Sequence, residues 1–426
     1  MDGGDVKVQS RYKQTELGEL PAEWEVTSLG KLGSVIRGAS PRPKGDKRFY
    51  GGRIPRLMVE DVTRDRKFVT PRLDFLTEEG AKRSRPCKLG TLTVVCSGTP
   101  NVVGTPSFLA VDACIHDGMM ALVNILPRVV PDYLFHQLCS YQDKLYKSAT
   151  HGGTFVNLTT TGFRAFQVVL PPTVAEQRAI ATALSDVDAL LSGLNRLIAK
   201  KRDLKQAAMQ QLLTGQIRLP GFKEEWEVKR IGDFTDCTAG GTPSTRIAEY
   251  WGGKMRWMSS GELNLKRVYE VEGRITEAGI VNSSTKFIPE KCVLIGLAGQ
   301  GKTRGTVAMN YVELCTNQSI AAIFPNASFV PEYLYYNLDA RYDELREMSA
   351  GDGGRGGLNL KIINAIPIPF PPLPEQTAIA AVLSDMDAEL TALEARREKT
   401  RLLKLGMMQE LLTGKIRLIP PEPANA

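Results

Sequence analysis

Histidine is scarce in this sequence, and its cysteines form no recognisable pattern. Only three histidines occur among 426 residues, His116, His136 and His151, and their spacing to one another and to the cysteines matches no zinc-site pattern. The seven cysteines are odd in number and include no CxxC pair, so the sequence indicates neither a disulfide framework nor a zinc site. We therefore expect reduced core thiols, no bound metal, and no metal-based or histidine-based catalysis.

Long apolar runs are also missing. No stretch approaches the ~18 apolar residues that a membrane helix needs, and the first residues lack the basic cluster and apolar run of a secretory signal. The 42% hydrophobic and 24% charged residues are typical of a globular protein, and the length favours two or three domains. We expect a soluble, cytoplasmic protein with no membrane contact. Its net charge of +7 suits a polyanionic partner.

A long internal repeat decides the expected architecture. Residues 176–219 align without a gap on residues 375–418, with 25 identities in 44 positions. Three blocks are shared: EQ at 176 and 375, LSDxDA at 184 and 383, and LLTGxIRL at 212 and 411. The same segment of scaffold therefore occurs twice in the chain.

Each copy of the repeat predicts one long helix. Proline disfavours helix just before it, so the helices are expected to start past Pro172 and past Pro374. Thr-Gly pairs at 214 and 413 end them, because glycine takes the left-handed conformation of a C-cap. Some 40 helical residues make a rod of roughly 60 Å. Apolar residues recur along both helices at the spacing of a heptad seam: Leu184, Val187, Leu191, Leu194 and Ile198, and Leu383, Met386, Leu390 and Leu393.

The regions upstream of the two helices also correspond, though more weakly. Their shared pieces lie at turns and apolar anchors: WEV at 24 and 226, GxxP at 38 and 240, and VPxYL at 130 and 330. Between these pieces the sequences diverge, so one scaffold carries two different surfaces. Runs at 91–96, 167–170 and 291–295 predict strands, while 133–146 and 333–348 predict helices. The expected fold class is α+β, with two β-rich domains separated by two long coiled-coil helices in a pseudo-two-fold repeat.

The segment from Gly296 to Thr303 satisfies the phosphate-loop pattern GxxxxGK[ST]. A true phosphate loop opens a helix, whose N-terminal amides hold the phosphates. The residues after Thr303 instead include an early glycine and β-branched residues, which favour a turn into another strand. We favour a loop between strands and keep a P-loop nucleotidase as an alternative.

The order of variable domain, long helix, variable domain and long helix resembles the specificity subunit of type I restriction-modification systems. The resemblance is carried by TELG and PAEW at 15–24, FKEEW at 222–226, and the PP…EQ and LLTGxIRL blocks, and it covers essentially residues 12–418. It implies two target-recognition domains, each reading one half of a bipartite asymmetric site in double-stranded DNA. It also implies that the two helices are antiparallel, set the gap between the half-sites, and dock two copies of a methyltransferase subunit.

The same resemblance places the chemistry in partner subunits. S-adenosylmethionine, ATP and Mg²⁺ are expected in the methyltransferase and motor-nuclease subunits, while this chain is expected to have no cofactor, no metal and no catalytic residue. It shows no Asn/Asp-Pro-Pro-aromatic methylation motif. A stand-alone DNA-binding adaptor that works without a methyltransferase is a further alternative. The expected segments are target-recognition domain 1 at 1–170, a central helical spacer at 171–219, target-recognition domain 2 at 220–370, a distal helical spacer at 371–419, and a disordered tail at 420–426.

Polar, glycine-rich loops are the expected DNA contacts, since phosphates are bound by cations, hydroxyls and amides, and bases by Arg, Asn and Gln. The competing interpretation for each loop is an ordinary solvated turn. The candidates are Arg37, Ser40, Arg42, Lys44, Lys47, Arg48, Ser97, Thr99, Asn101, His151 and Thr154 in the first domain, and Thr242, Ser244, Thr245, Arg246, Gln300, Lys302, Thr303, Arg304 and Arg355 in the second. The candidates for partner docking are Glu176, Gln177, Leu184, Asp186, Leu191, Glu375, Gln376, Leu383, Asp385 and Leu390.

Overall fold

Glycine and proline divide both halves of the chain into short strands. The computed structural model describes residues 12–151, 156–299, 303–348 and 357–419. The chain forms two compact units: the first unit comprises residues up to 193 together with those from 397 onward, and the second unit comprises residues 194–396. Each long helix therefore contributes one segment to each unit.

The first unit is mixed, with short strands predominating. Its strands are β1 (Tyr12–Thr15), β2 (Gly18–Pro21), β3 (Glu25–Ser28), β4 (Ser34–Arg37), β5 (Tyr50–Leu57), β6 (Phe68–Val69), β7 (Asp74–Leu76), β8 (Pro86–Cys87), β9 (Leu92–Val95), β10 (Ser97–Gly98), β11 (Pro106–Leu109), β12 (Ala113–Ile115), β13 (Met119–Val123), β14 (Val156–Asn157) and β15 (Gln167–Leu170). Its short helices are α1 (Leu29–Leu32), α2 (Val59–Asp65), α3 (Glu78–Lys82), α4 (Pro131–Ser140), α5 (Gln142–Ser148) and α6 (Thr160–Ala165).

Two sheets form the body of the first unit. The five-stranded sheet has the order β4-β13-β9-β11-β6, and the four-stranded sheet has the order β7-β5-β12-β8. Leu57, Val95, Ile115 and Met119 belong to one buried apolar cluster, which draws strands from both sheets. Five of the seven cysteines are buried and the other two half-buried, as expected for core thiols.

The second unit repeats this topology. Its strands are β16 (Glu227–Arg230), β17 (Cys237–Ala239), β18 (Trp251–Met258), β19 (Arg267–Val268), β20 (Arg274–Ile275), β21 (Phe287–Ile288), β22 (Val293–Gly296), β23 (Val307–Asn310), β24 (Leu314–Thr316), β25 (Ile320–Ile323) and β26 (Pro367–Phe370). The five-stranded order β17-β25-β22-β23-β19 and the four-stranded order β20-β18-β24-β21 match the first unit strand for strand. Short 3₁₀ turns at Ala248–Tyr250 and Ser260–Leu265 accompany the helices α8 (Ile231–Phe234), α9 (Glu277–Val281), α10 (Pro331–Asp339), α11 (Tyr342–Glu347) and α12 (Leu360–Ala365). The expected internal repeat of two β-rich domains is confirmed.

One detail of the predicted helices is wrong. The segments 133–146 and 333–348 are not single helices, because each is broken into two. The breaks fall at Tyr141, with φ −101° and ψ 11°, and at Arg341, with φ −108° and ψ 28°. Past each break the chain buries one leucine, Leu145 or Leu345, in the core of its unit.

The two long helices, α7 (Val174–Leu212) and α13 (Leu373–Leu411), have 39 residues each. The expectation that α13 starts past Pro374 is wrong by two residues. Proline is tolerated in a first helical turn, where its missing N–H would have no partner. Both helices end before the predicted glycines, and Gly215 and Gly414 take φ values of +73° and +71°. Within the described residues, no helix combines the length and the apolar character needed to cross a membrane.

The two helices run antiparallel within each unit. In the first unit Lys404 on α13 lies 2.5 Å from Asp188 on α7, and in the second unit Lys205 on α7 lies 2.5 Å from Asp387 on α13. These two ion pairs are equivalent, because both residues of one pair correspond to those of the other at the 199-residue offset. Charged residues near the middle of the helices also pair between the two helices, with Lys201 2.7 Å from Glu389.

The helix residues that face each β-rich body are the same in both units. Those in the first unit are Ile180, Ala181, Leu184, Leu411 and Leu412. Those in the second unit are Ile379, Ala380, Leu383, Leu212 and Leu213, which are identical residue types at the same offset. Leu194 and Ile198 of the predicted seam are also buried. The apolar seam of the long helices therefore packs against the β-rich body of each unit and also lies between the two helices.

A buried ion pair closes the first unit where α7 begins and α13 ends. Arg417 donates to Glu176, with Nη2 2.9 Å from the carboxylate, and its guanidinium lies over the ring of Trp24 at 5.7 Å from the centroid. Burial raises the pKa of Glu176, although Arg417 opposes that effect. We call Trp24, Glu176, Gly414 and Arg417 the first junction. Gly414 lies against Trp24, because a Cβ there would be 3.1 Å from the indole.

The second unit is closed by the equivalent group, the second junction, formed by Trp226, Glu375, Gly215 and Arg218. Arg218 donates to both oxygens of Glu375 at 2.6 Å, and its guanidinium lies 5.2 Å from the ring centroid of Trp226. The Trp226 indole N–H also donates to Glu375 at 2.9 Å. Each junction therefore joins one EQ block to the IRL block of the other helix.

Removal of Arg417 should destabilise the first unit and leave the second unchanged. An Arg417→Met variant leaves Glu176 buried without its cation, which we expect to cost about 2 kcal/mol. Glu176→Gln in the same chain should recover at least half of this loss, since replacing both partners avoids an unpaired buried charge. Native-state hydrogen exchange measures both units in one sample, so the second unit serves as the internal control. An equal loss in both units, or no loss, contradicts the assignment.

Candidate nucleic-acid interface

The loops of residues 37–48 and 97–101 meet at one end of the five-stranded sheet of the first unit, beside the strand β14 that follows the third predicted loop. The loop after β4 reaches this end because the Gly38 amide donates to Met119 O at 2.9 Å. The Ser97 amide donates to Gly118 O at 3.2 Å, and β10 pairs with β14 beside Thr150. Strand order therefore gathers segments that lie more than a hundred residues apart in sequence.

A glycine is required where the first loop passes the sheet. A Cβ on Gly38 would lie 2.0 Å from the carbonyl oxygen of His116, and a Cβ on the equivalent Gly240 would lie 2.1 Å from that of Thr316. No side chain fits at such distances. The GxxP pieces shared by the two halves are thus the fixed bases of two loops whose tips differ.

We call this end of each five-stranded sheet, with the loops around it, the face of its unit. Residues 37–48, the basic loop, carry most of the positive charge of the first face. Arg42, Lys44 and Lys47 are exposed, whereas Arg48 is held 2.7 Å from Asp46 and keeps the pKa of that carboxyl below its usual value. Ser40 is occupied within the unit, since its hydroxyl accepts a hydrogen bond from Arg56 at 3.0 Å. The exposed cations of this loop are suited to phosphate contacts.

Two further cations belong to this face and were missed by sequence reasoning. Arg83 and Arg85 follow α3, and the Ser84 hydroxyl between them donates to Ala39 O at 2.7 Å in the basic loop. The guanidinium of Arg83 lies 4.4 Å from the ring centroid of the buried Phe49. No glycine or motif marks this segment, and its position follows from contacts with residues that are distant in sequence, Ala39 and Ile115.

In the second unit the loop after β17 and the end of β22 lie at the equivalent end of the sheet, and the exposed side chains of that loop are different. Gly241 donates to Thr316 O at 2.8 Å, and Leu297 donates to Ser319 O at 2.8 Å. Ser244, Thr245 and Arg246 are exposed, so this loop offers two hydroxyls and one cation where residues 37–48 offer several cations. The Trp251 indole supports the loop by donating to Ser244 O at 3.2 Å.

The segment that matches the phosphate-loop pattern connects two antiparallel strands, β22 and β23. Gly296 and Gly305 face each other across the connection, with the Gly305 amide 2.9 Å from Gly296 O. Thr303 begins a turn that leads into β23, and no helix starts in the described residues between β22 and β23. The expected loop between strands is confirmed, and its described residues form no helix N-terminus of the kind that a phosphate loop requires.

A short turn occupies the centre of each face. In the first unit it is His116-Asp117-Gly118, and Asp117 O accepts from Arg37 Nε at 2.9 Å. His116 Nδ1 accepts from the Gly118 amide at 2.9 Å, while its Nε2 lies 2.9 Å from the Asp117 carboxylate. Burial lowers the pKa of His116, which favours the neutral ring with its proton on Nε2. Sequence reasoning missed this turn, because its residues are not shared by the two halves.

The remaining DNA-contact candidates are placed as follows. Thr99, Asn101 and His151 are exposed, while Ser97, Thr242, Thr303 and Arg304 are half-buried. Thr154, Gln300, Lys302, Arg355 and the tail 420–426 lie outside the described residues. In the described parts of the chain, no group of three or more His, Cys, Asp or Glu side chains is arranged to hold a metal ion.

Six of the ten docking candidates are corrected by their positions. Glu176 and Glu375 belong to the two junctions and are at most 1% exposed. Gln177 and Gln376 are as deeply buried and each accepts the backbone amide that starts a helix of its unit, from Val130 or Val330, at 2.9 Å. The core residues Leu184 and Leu383 are also fully buried. Asp186 and Asp385 are exposed, Leu191 is half-buried and Leu390 is 9% exposed.

The chain belongs to the type I restriction-modification DNA specificity family. A family model described as the type I restriction modification DNA specificity domain matches it twice, at residues 21–201 and 223–403. Both matches begin near the tryptophan of a junction and extend into a long helix. The family membership indicated by the helix blocks is confirmed.

Known proteins match the chain over part or most of its length. The putative type I restriction enzyme MjaX specificity subunit of Methanocaldococcus jannaschii is 25% identical over 441 aligned positions, covering 96% of this chain and 97% of the relative. The EcoR124I/EcoR124II specificity subunit of Escherichia coli is 30% identical over 174 positions, covering 40% of this chain and 43% of the relative. The crystal structure of the type I S subunit from M. genitalium superposes with a TM-score of 0.60 at 15% identity, covering 91% of this chain and 96% of that chain, and shows the same fold.

Neutralising the exposed lysines of the basic loop should weaken DNA binding without changing its sequence preference. Lys44→Ala with Lys47→Ala removes two candidate phosphate contacts, so the slope of log affinity against log salt should fall by about 2. Fluorescence anisotropy of labelled duplexes at several salt concentrations measures this slope. Lys88→Ala is the matched control, since Lys88 precedes β9 at the opposite end of the sheet. If Lys88→Ala lowers the slope as much as each lysine of the basic loop does, the assignment of the DNA-binding face is contradicted.

Proposed function

We propose that this chain directs a type I restriction-modification complex to its DNA and performs no catalysis itself. Each unit reads one half of a bipartite, asymmetric site. The observation that carries the proposal is the repeated fold with unlike faces: the same strands in the same order end in a cationic loop in one unit and a hydroxyl-rich loop in the other. Two readers on one scaffold suit a site with two different halves.

The long helices supply the constant part of this function. We assign them the docking of two methyltransferase copies, since a duplicated scaffold offers two equivalent surfaces. Leu204 and Leu403 support this assignment, because they occupy equivalent positions of the two helices and are 46% and 59% exposed. Motor-nuclease subunits complete the complex, and S-adenosylmethionine, ATP and Mg²⁺ belong to the partners. We place the complex in the cytoplasm, together with its DNA.

Lengthening both helices at the boundary of the units should change only the gap between the half-sites. Four helix-forming residues inserted after Gly193 and after Arg396 add one turn, or about 6 Å, which is roughly two base pairs. Both insertions leave the junctions and the Lys–Asp pairs intact, because each of these contacts lies inside one unit. Methylome sequencing of a host that expresses the variant with its methyltransferase reports half-sites and gap together.

Two outcomes contradict the proposal. Altered half-sites with the original gap would show that the helices do not set the spacing. A wild-type chain that binds DNA but directs no methylation, with the methyltransferase present, would favour the stand-alone adaptor. The insertion of two residues instead of four is a useful control, because about 200° of helical rotation should disrupt the helix pairing.

A further inference from the structure

The turn at the centre of each face has the same construction in both units. In the second unit it is Asn317-Gln318-Ser319, and Asn317 Oδ1 accepts from the Ser319 amide at 3.1 Å. This bond reproduces the one from the Gly118 amide to His116 Nδ1 in the first unit. Both turns also follow equivalent strands, β12 and β24, and lead into equivalent strands, β13 and β25. The residues at the two apices, Asp117 and Gln318, are therefore structural counterparts.

The loops flank each apex on two sides. Asp117 is bordered by Arg37 and Arg42 from the basic loop, while the β10 segment contacts the adjoining Gly118. Gln318 accepts a hydrogen bond from the Thr242 hydroxyl, and the β22–β23 connection contacts the adjoining Ser319. The side chain of Asp117 is 40% exposed, and Gln318 is exposed. Each apex thus lies centrally, with candidate phosphate-binding groups beside it.

The side chains at the two apices differ in their hydrogen-bonding groups, and each suits a different base. A carboxylate is repelled by phosphate but accepts a hydrogen bond from the exocyclic amino group of cytosine, whereas a glutamine carboxamide pairs with adenine through two hydrogen bonds. We propose that Asp117 and Gln318 are specificity-determining residues, one for each half-site, and that each reads a base with its side chain. Asp117 favours a cytosine amino group, and Gln318 favours adenine. This inference rests on the proposed function.

The test exchanges charge at each apex with almost no change in shape. Complexes carrying Asp117→Asn or Gln318→Glu are compared with wild type by methylome sequencing of the expressing host. Each variant should change base preference at one position of one half-site, by roughly 5-fold to 150-fold, and the two variants should affect different halves. Arg42→Ala is the matched control, because it removes the cation beside Asp117 and keeps the carboxylate. It should lower methylation at every site and leave the preferred sequence unchanged.

The outcomes separate this inference from the function on which it rests. Unchanged preference with uniformly weaker methylation would mean that the Asp117 carboxylate only positions Arg42, and would overturn the inference. A change in the same half-site for both variants would also overturn it. A wild-type complex that methylates no bipartite site would refute the proposed function itself. Because the two apices lie in different units, a variant that fails to fold leaves the other as an independent test.

Discussion

In each unit a buried carboxylate pairs with an arginine where the two long helices meet, and the rest of the architecture depends on that ion pair. Glu176 meets Arg417, and Glu375 meets Arg218, so each junction joins the beginning of one helix to the end of the other. The desolvation of Glu176 is not fully offset, since its pKa stays raised. A pair of this kind contributes little net stability but makes the loss of either partner costly. The reciprocal junctions therefore specify which helix ends meet.

This constraint explains how the chain combines one repeated scaffold with two different sets of loops. The helix residues that face the two β-rich bodies are identical, as are the Lys–Asp pairs between the helices. Shared glycines set the bases of the loops, as Gly38 and Gly240 show. The loop tips beyond these points differ: residues 37–48 carry several exposed cations and residues 244–246 carry one, and the residue at the apex is Asp117 in one unit and Gln318 in the other. Specificity can change without any change in the scaffold.

Periodicity and local chemistry made the helices, their glycine caps and the strand connection at Gly296 predictable from sequence. Contacts between segments that are distant in sequence could not be predicted in this way. The EQ and IRL blocks were recognised as repeated motifs, but Glu176 and Arg417 are 241 residues apart, and no spacing rule joins them. An exposed docking role was therefore assigned to side chains that are buried. The central turns escaped notice because Asp117 and Gln318 are equivalent only in topology.

Exchange of one reader is the most direct test of the central claim that two independent readers share one repeated scaffold. In this hybrid, residues 29–165 are replaced by residues 231–365, which join the scaffold at equivalent helices, α1 with α8 and α6 with α12. The helix residues that must receive the new body are already identical. Sequencing of methylated bases should show an inverted repeat of a single wild-type half-site. Methylation of the original asymmetric site, or of a sequence related to neither half, would contradict the account.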